Sequence, residues 1–217
     1  MTLFSPLVER AIETAAEWHD ATWRKGRWSP PFVTGPDGTS ARVPTMAHLA
    51  TVALTVQRAG WGDEAVAAAF LHDTLEDPNR YRQRLARAAL VAVVGETVTA
   101  LVEAVSEPQL GTDGERLPWR ARKDAYLRHL AAGPAEASAI SLADKLHNAY
   151  SMASSLDAGL DIFTSAPDRI GLSAGPADQL WFFQAVLETT RRHDDPRLDP
   201  MRQRLAEELA RFRSALG

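Results

Sequence analysis

Three short polar segments interrupt otherwise apolar helical sequence. They are His48 within Ala47, His48, Leu49, Ala50; the run His72, Asp73, Thr74, Leu75, Glu76, Asp77; and the run Asp144, Lys145, Leu146, His147, Asn148. His72 and Asp73 follow Ala67, Ala68, Ala69, Phe70 and Leu71, so an imidazole and a carboxylate stand at the end of a segment that reads as a buried helix. A carboxylate buried without a partner is costly, and a cation is one of the few things that makes it favourable. Asp144 poses the same problem after Ala139, Ile140, Leu142 and Ala143. Brought together from three helices, His48, His72, Asp73 and Asp144 would make a ligand set open to water and substrate. Nitrogen and oxygen donors of this kind suit manganese, iron or a similar divalent ion. A single His-Asp pair is weak evidence, because buried histidines are often merely hydrogen-bonded; the three segments together favour the metal.

Spacing adds a second layer. Glu76 lies four residues after His72, and Asp77 four after Asp73, so both acids project from the face that carries the ligands. There they are placed to act on a metal-bound water. The alternative is that they merely end a helix before Pro78, yet acids are disfavoured at a helix C-terminus. Asn148, four residues after Asp144, should also point into the site, where an uncharged amide could read a sugar or a base. His147 is no ligand in this reading, and His19, His129 and His193, with no carboxylate cluster around them, read as surface or core residues. Basic residues form two clusters. Arg24, Lys25 and Arg27 close the first helix, where cations are favourable in any protein. Arg116, Arg120, Arg122 and Lys123 form the second; most would be solvated, but a polyphosphate substrate needs some of them.

The elements that must hold these residues are helical throughout, since apolar residues recur at helical spacing and no segment shows sustained alternation. The expected fold class is all-α. Ser5 and Pro6 open a helix running to about Trp23, and the Gly- and Pro-rich stretch 26–44 is a loop long enough to be functional. Thr45 caps a second helix ending at Gly60, and Asp63 a third through Leu75. Two helices follow, divided near Gly95, then a polar segment 107–118 and a helix bearing the second basic cluster. Gly133 and Pro134 separate that helix from the one that carries Asp144. Residues 157–176 read as irregular, and two helices close the chain, the last opened by Asp199 and Pro200. With no repeat and no linker, residues 1–217 read as one domain, with a core over about 5–192 and a C-terminal helix over about 199–215.

Composition bounds the chemistry. The 217 residues contain no cysteine, which excludes disulfides and thiolate metal ligands. A formal charge of −4 argues against a general nucleic-acid surface, so an anionic substrate needs a local basic pocket. No apolar stretch approaches the length of a membrane span and the first ten residues lack a signal-peptide pattern, so a soluble cytoplasmic protein is expected.

These residues resemble the hydrolase domain of the RelA/SpoT alarmone enzymes, an HD-type fold, and especially its free-standing form, the small alarmone hydrolases. The likeness runs from Ala11 to about Val186: the Arg24, Lys25, Gly26 element, the His48 helix, the HD and ED pairs between Leu71 and Asp77, the segment 118–130, the LADKLHN stretch from Leu142 to Asn148, and an aromatic cluster at Trp181, Phe182 and Phe183. The resemblance implies manganese on His48, His72, Asp73 and Asp144, with Glu76 and Asp77 activating water. It implies that Arg24 and Lys25 contact the base and its phosphates, and that Asn148 with Ser151 faces the nucleoside. The implied reaction hydrolyses the 3′-pyrophosphate of guanosine tetra- or pentaphosphate to GDP or GTP and pyrophosphate. The chain departs from the family in an expanded segment 27–45 that lacks the usual Pro-Tyr pair, and in Tyr150 where bacterial members often carry arginine. Adenosine alarmones or the 2′-phosphate of NADPH would fit the same ligand set. A binding module that sequesters alarmones without turnover, or a helical scaffold, accounts less well for retained acids beside a metal. The oligomeric state is not written in the sequence.

Overall fold

The computed structural model describes residues 3–24, 33–38, 42–111, 114–165 and 171–217. Among the described residues the regular structure is helical: α1 (Pro6–Trp18), α2 (Met46–Arg58), α3 (Asp63–Leu71), α4 (Arg87–Val105), α5 (Trp119–Ala132), α6 (Ala135–Asp157), α7 (Pro176–Thr190) and α8 (Asp199–Ala215), with a 3-10 turn at Pro196–Leu198 before the last. Isolated extended bridges pair Trp23 with Pro44 and Leu110 with Arg116.

Helix α3 is the hub. Ala65, Val66, Ala67, Ala68, Ala69, Phe70 and Leu71 are all buried, and the helix packs on α1, α2, α4 and α6. A helix apolar on every side belongs in the interior, and alanines allow its neighbours to approach closely. One continuous apolar cluster runs from Ala11 and Ala15 on α1, through Leu49, Val52 and Val56 on α2, to Leu205 and Leu209 on α8. Helix α6 joins the halves: α2 and α8 both pack against it.

Several local expectations are corrected. Helix α1 ends at Trp18 rather than near Trp23, because the chain turns through Ala21 at φ 52° and leaves in an extended strand-like segment bonded to Val43. Arg24 therefore lies beyond the helix, while Lys25 and Arg27 lie outside the described residues. Helix α3 stops at Leu71; Glu76 and Asp77 sit in turns that follow, although their N–H groups still bond to the Asp73 carbonyl at 3.2 and 2.9 Å. Thr45 makes no side-chain cap; its Oγ1 accepts from Thr22 Oγ1 at 3.0 Å. The division expected near Gly95 stands: α4 comprises two helical stretches that meet at Gly95, whose φ of 83° and ψ of 171° break the helical backbone in a conformation that other residues resist. That element also corrects the membrane reading: α4 is long and apolar enough, by composition, to span a bilayer. Here Leu90, Val94, Val98, Leu101 and Val102 are instead buried against protein, as expected of a core helix.

Candidate metal centre and cleft

Helix α2 brings His48, the end of α3 brings His72 and Asp73, and α6 brings Asp144 to one point. His48 Nε2 lies 3.3 Å from His72 Nε2 and 3.2 Å from Asp144 Oδ1. His72 Nε2 lies 3.2 Å from Asp73 Oδ1. Donor atoms of His48, His72 and Asp144 all fall within 4.8 Å of one another. Both histidines are buried, whereas the Asp73 side chain keeps 25% of its surface exposed and forms the open side.

The arrangement of the donor atoms favours a cation. His72 Nδ1 donates to the Ala69 carbonyl at 2.7 Å, which turns Nε2 toward His48 and Asp73. Burial lowers the His48 pKa, which favours its neutral form. Burial alone would raise Asp144, but the Lys145 ammonium bonded to it, followed by the His48 contact, holds the carboxyl well below its usual range. His48 Nε2, His72 Nε2 and Asp144 Oδ1 converge at 3.2–3.9 Å, nitrogen and oxygen donors that a positive ion among them would engage together. The donor set therefore fits a divalent metal.

Glu76 stands at the edge of this cluster. Its Oε1 accepts from the Glu107 N–H at 2.6 Å, and burial, reinforced by the Asp73 charge, pushes its pKa well above that of an ordinary glutamate. A carboxylate so destabilised as an anion is a stronger proton acceptor. Asp77 lines the adjoining cleft.

The cleft encloses about 770 Å³. Arg84, Arg116, Arg122 and Lys123 line it; the last two pair with Glu107, Arg122 at 2.9 Å. Uncharged lining comes from Ser151, Ser155, Ile162, Leu172 and Gln179. Arg24 and Asn148 line it too: Arg24 Nη2 donates to Asn148 Oδ1 at 3.2 Å, and Asn148 Nδ2 donates to Asp144 Oδ1 at 2.6 Å. Trp119, another lining residue, meets Trp181 and Phe182 edge-on, so the aromatic cluster of α7 buttresses it.

The structure brings His48, His72, Asp73, Asp144, Glu76, Asp77, Arg24, Asn148 and Ser151 around two cavities that share Arg24, His48, Asp73, Glu76 and Asn148. Lys25 lies outside the described residues. Sequence reasoning missed Glu107, which reads locally as one more polar loop residue, and it missed His147. His147 Nδ1 lies 2.6 Å from His48 Nδ1, and burial holds its pKa at about 3. His19, read as surface or core, is buried, and its pKa is lowered by burial. The LADKLHN run was itself the signal for His147, but a residue three positions from a ligand gives no hint that it reaches a different ligand.

No curated protein matches the chain by sequence. Among solved structures, the fold is similar to that of a metazoan orthologue of SpoT, described as hydrolysing ppGpp and as having a role in starvation responses. The TM-score is 0.64 at 20% identity, covering 97% of each chain. It is also similar to the crystal structure of lmo0812 from Listeria monocytogenes EGD-e, with a TM-score of 0.62 at 26% identity over 78% of this chain and 98% of that one. The family model for the HD domain matches residues 32–164, a span that takes in the His48 helix, the His72 and Asp73 pair and Asp144. By that match, the chain belongs to the HD domain family.

Proposed function

We propose that this chain is a metal-dependent phosphohydrolase that removes the 3′-pyrophosphate of guanosine 3′,5′-bis(diphosphate) and related alarmones, giving GDP or GTP and pyrophosphate. The observation that carries the reading is the convergence of His48, His72 and Asp144 beside a half-buried Glu76 of raised pKa, next to a cleft lined by Arg84, Arg116, Arg122 and Lys123 as well as by uncharged residues. The likeness to the ppGpp-hydrolysing metazoan protein supports the substrate class. Manganese is the expected ion, held by His48, His72, Asp73 and Asp144. A divalent ion there would lower the pKa of water and neutralise charge on a phosphoryl oxygen.

The chain's own residues supply the rest. Glu76 takes the proton of the attacking water, and its raised pKa makes it a stronger proton acceptor than an ordinary glutamate. Asp77 orients that water. Arg122 and Lys123 bind the polyphosphate, with Glu107 holding both side chains in place. Arg24, Asn148 and Ser151 contact the nucleoside, and Lys25 joins Arg24 in this role. The helical elements share one apolar cluster, consistent with a single catalytic domain.

The test is product analysis with purified, manganese-loaded protein offered guanosine tetraphosphate, adenosine tetraphosphate and NADPH in parallel, with Asp73→Ala as control. Pyrophosphate released from the guanosine compound and lost in the variant supports the reading. Phosphate from NADPH, or pyrophosphate from the adenosine compound alone, moves the substrate within the same site. Tight binding with no turnover of any of them would point to a sequestering module instead.

A further inference from the structure

His147 plays no part in the scheme above, yet it is bonded to one of the ligands. Its Nδ1 lies 2.6 Å from His48 Nδ1, with the ring planes 31° apart. Two bare nitrogens, or two protonated ones, repel at that separation, so one ring donates and the other accepts. His48 Nε2 faces His72 Nε2 at 3.3 Å and Asp144 Oδ1 at 3.2 Å. For Nε2 to offer a lone pair to a cation, the proton of His48 must sit on Nδ1 and be donated to His147 Nδ1. The proton of His147 then sits on its own Nε2, on the edge of the ring turned away from His48, and His147 lines the cleft.

We propose that His147 is a positioning residue for the metal centre. Its Nδ1 accepts from His48 and fixes the tautomer and ring orientation in which His48 Nε2 is a ligand. The same bond fixes an Nε2–H donor toward the cleft, where it meets a substrate oxygen of the phosphate or ribose type. One residue thus couples the ligand set to the substrate. Asn148, the next residue in the chain, is tied to Asp144 and Arg24, so α6 contributes adjacent side chains that brace different ligands. The inference rests on the metal reading of the site.

The test separates the two edges of the ring. H147N keeps an acceptor near the position of Nδ1 and removes the outer N–H; H147F and H147A remove both. Binding of Mn2+ to metal-stripped protein is followed by the electron paramagnetic resonance of the free ion, with thermal melting of the stripped proteins as the fold control. H147F and H147A should bind Mn2+ about 10–100-fold more weakly than wild type, as expected when the partner of a ligating histidine is lost, with H147N much closer to wild type. With saturating Mn2+ and the hydrolysed substrate, H147N should raise KM more than it lowers kcat. If H147A, folded by its melting curve, binds Mn2+ as tightly as wild type, the positioning role is wrong while the metal site stands. If H147N weakens binding as much as H147A, the acceptor is not what matters and the inference fails. If wild type takes up no Mn2+, the metal reading and this inference fall together.

Discussion

The indole N–H of Trp18 donates to the main-chain carbonyl of Asp77 at 2.9 Å, joining the last residue of α1 to the acidic pair that follows α3. From the other side, Arg84 Nη1 donates to the Glu76 carbonyl at 3.1 Å. The backbone of the acidic pair lies outside any helix, so these two side chains, with the turn bonds to the Asp73 carbonyl, set its position.

Trp18→Phe keeps most of the ring and removes the donor. The expected loss of stability is about 1 kcal/mol. The loss in kcat should be larger than that implies, because a shift of about 1 Å at a reacting group costs on the order of 100-fold. Steady-state kinetics beside a denaturant titration check this; a kcat equal to wild type would mean that the indole bond does not hold Asp77 in place.

Glu76→Gln tests the raised pKa without reference to any substrate. Glu76 binds its proton more tightly in the folded chain than in the unfolded one, so its contribution to stability is fully present below the ordinary value of 4.5 and is lost as pH rises through the folded value. In metal-stripped protein, Glu76→Gln should therefore be more stable than wild type at neutral pH, with the gain shrinking to nothing as pH falls below 4.5. Urea titrations across that range give the comparison. In the loaded enzyme the same substitution should reduce kcat about 100-fold or more, since the proton acceptor is gone.

Asp144→Asn and Asp73→Asn should differ in the stripped protein. Asp144 pairs with Lys145, whose side chain is only 12% exposed, so removing the carboxylate leaves a buried ammonium without its counter-charge. Breaking such a pair from one side costs about 3–5 kcal/mol. Asp73 is more open and faces histidines, and its replacement relieves the charge that raises Glu76, so the stability change should be small or favourable. Both variants should lose manganese binding. Equal stability losses would show that Lys145 does not depend on Asp144.

Gly171→Ala addresses the uncharged lining. A Cβ at Gly171 would stand 2.5 Å from the Phe163 carbonyl oxygen, a backbone atom that cannot swing aside. The chain there is held by Leu172 N–H donating to the Ile162 carbonyl at 3.0 Å, and both Leu172 and Ile162 line the cleft. The substitution should raise KM with kcat and manganese affinity nearly unchanged, because the ligands lie on α2, on α6 and in the turn that follows α3. A fall in kcat alone would place this lining nearer the chemistry than the geometry implies.

Helix content and the meeting of the three polar segments were legible because both follow from local pattern: apolar periodicity marks buried helices, and charge embedded in such helices demands a partner. The ends of the helices were less legible. The sequence from His19 to Trp23 is compatible with continuing α1, and only the docking of Trp23 and Arg24 against Val43 and Pro44 draws the chain out of the helix. Likewise, Glu107 and His147 act through partners 31 and 99 residues away in sequence, a relation that spacing along one helix does not encode.

The alanines at positions 67, 68 and 69 on α3 are wholly buried and bear no functional group, yet the histidine cluster depends on how closely α2 and α6 lie against that helix. In a scan of every substitution, these positions should be as intolerant as the ligands themselves, but by volume rather than by chemistry: glycine or serine would be endured, and valine or leucine would not. Selection on the reaction would thus leave its mark on residues that never touch a substrate.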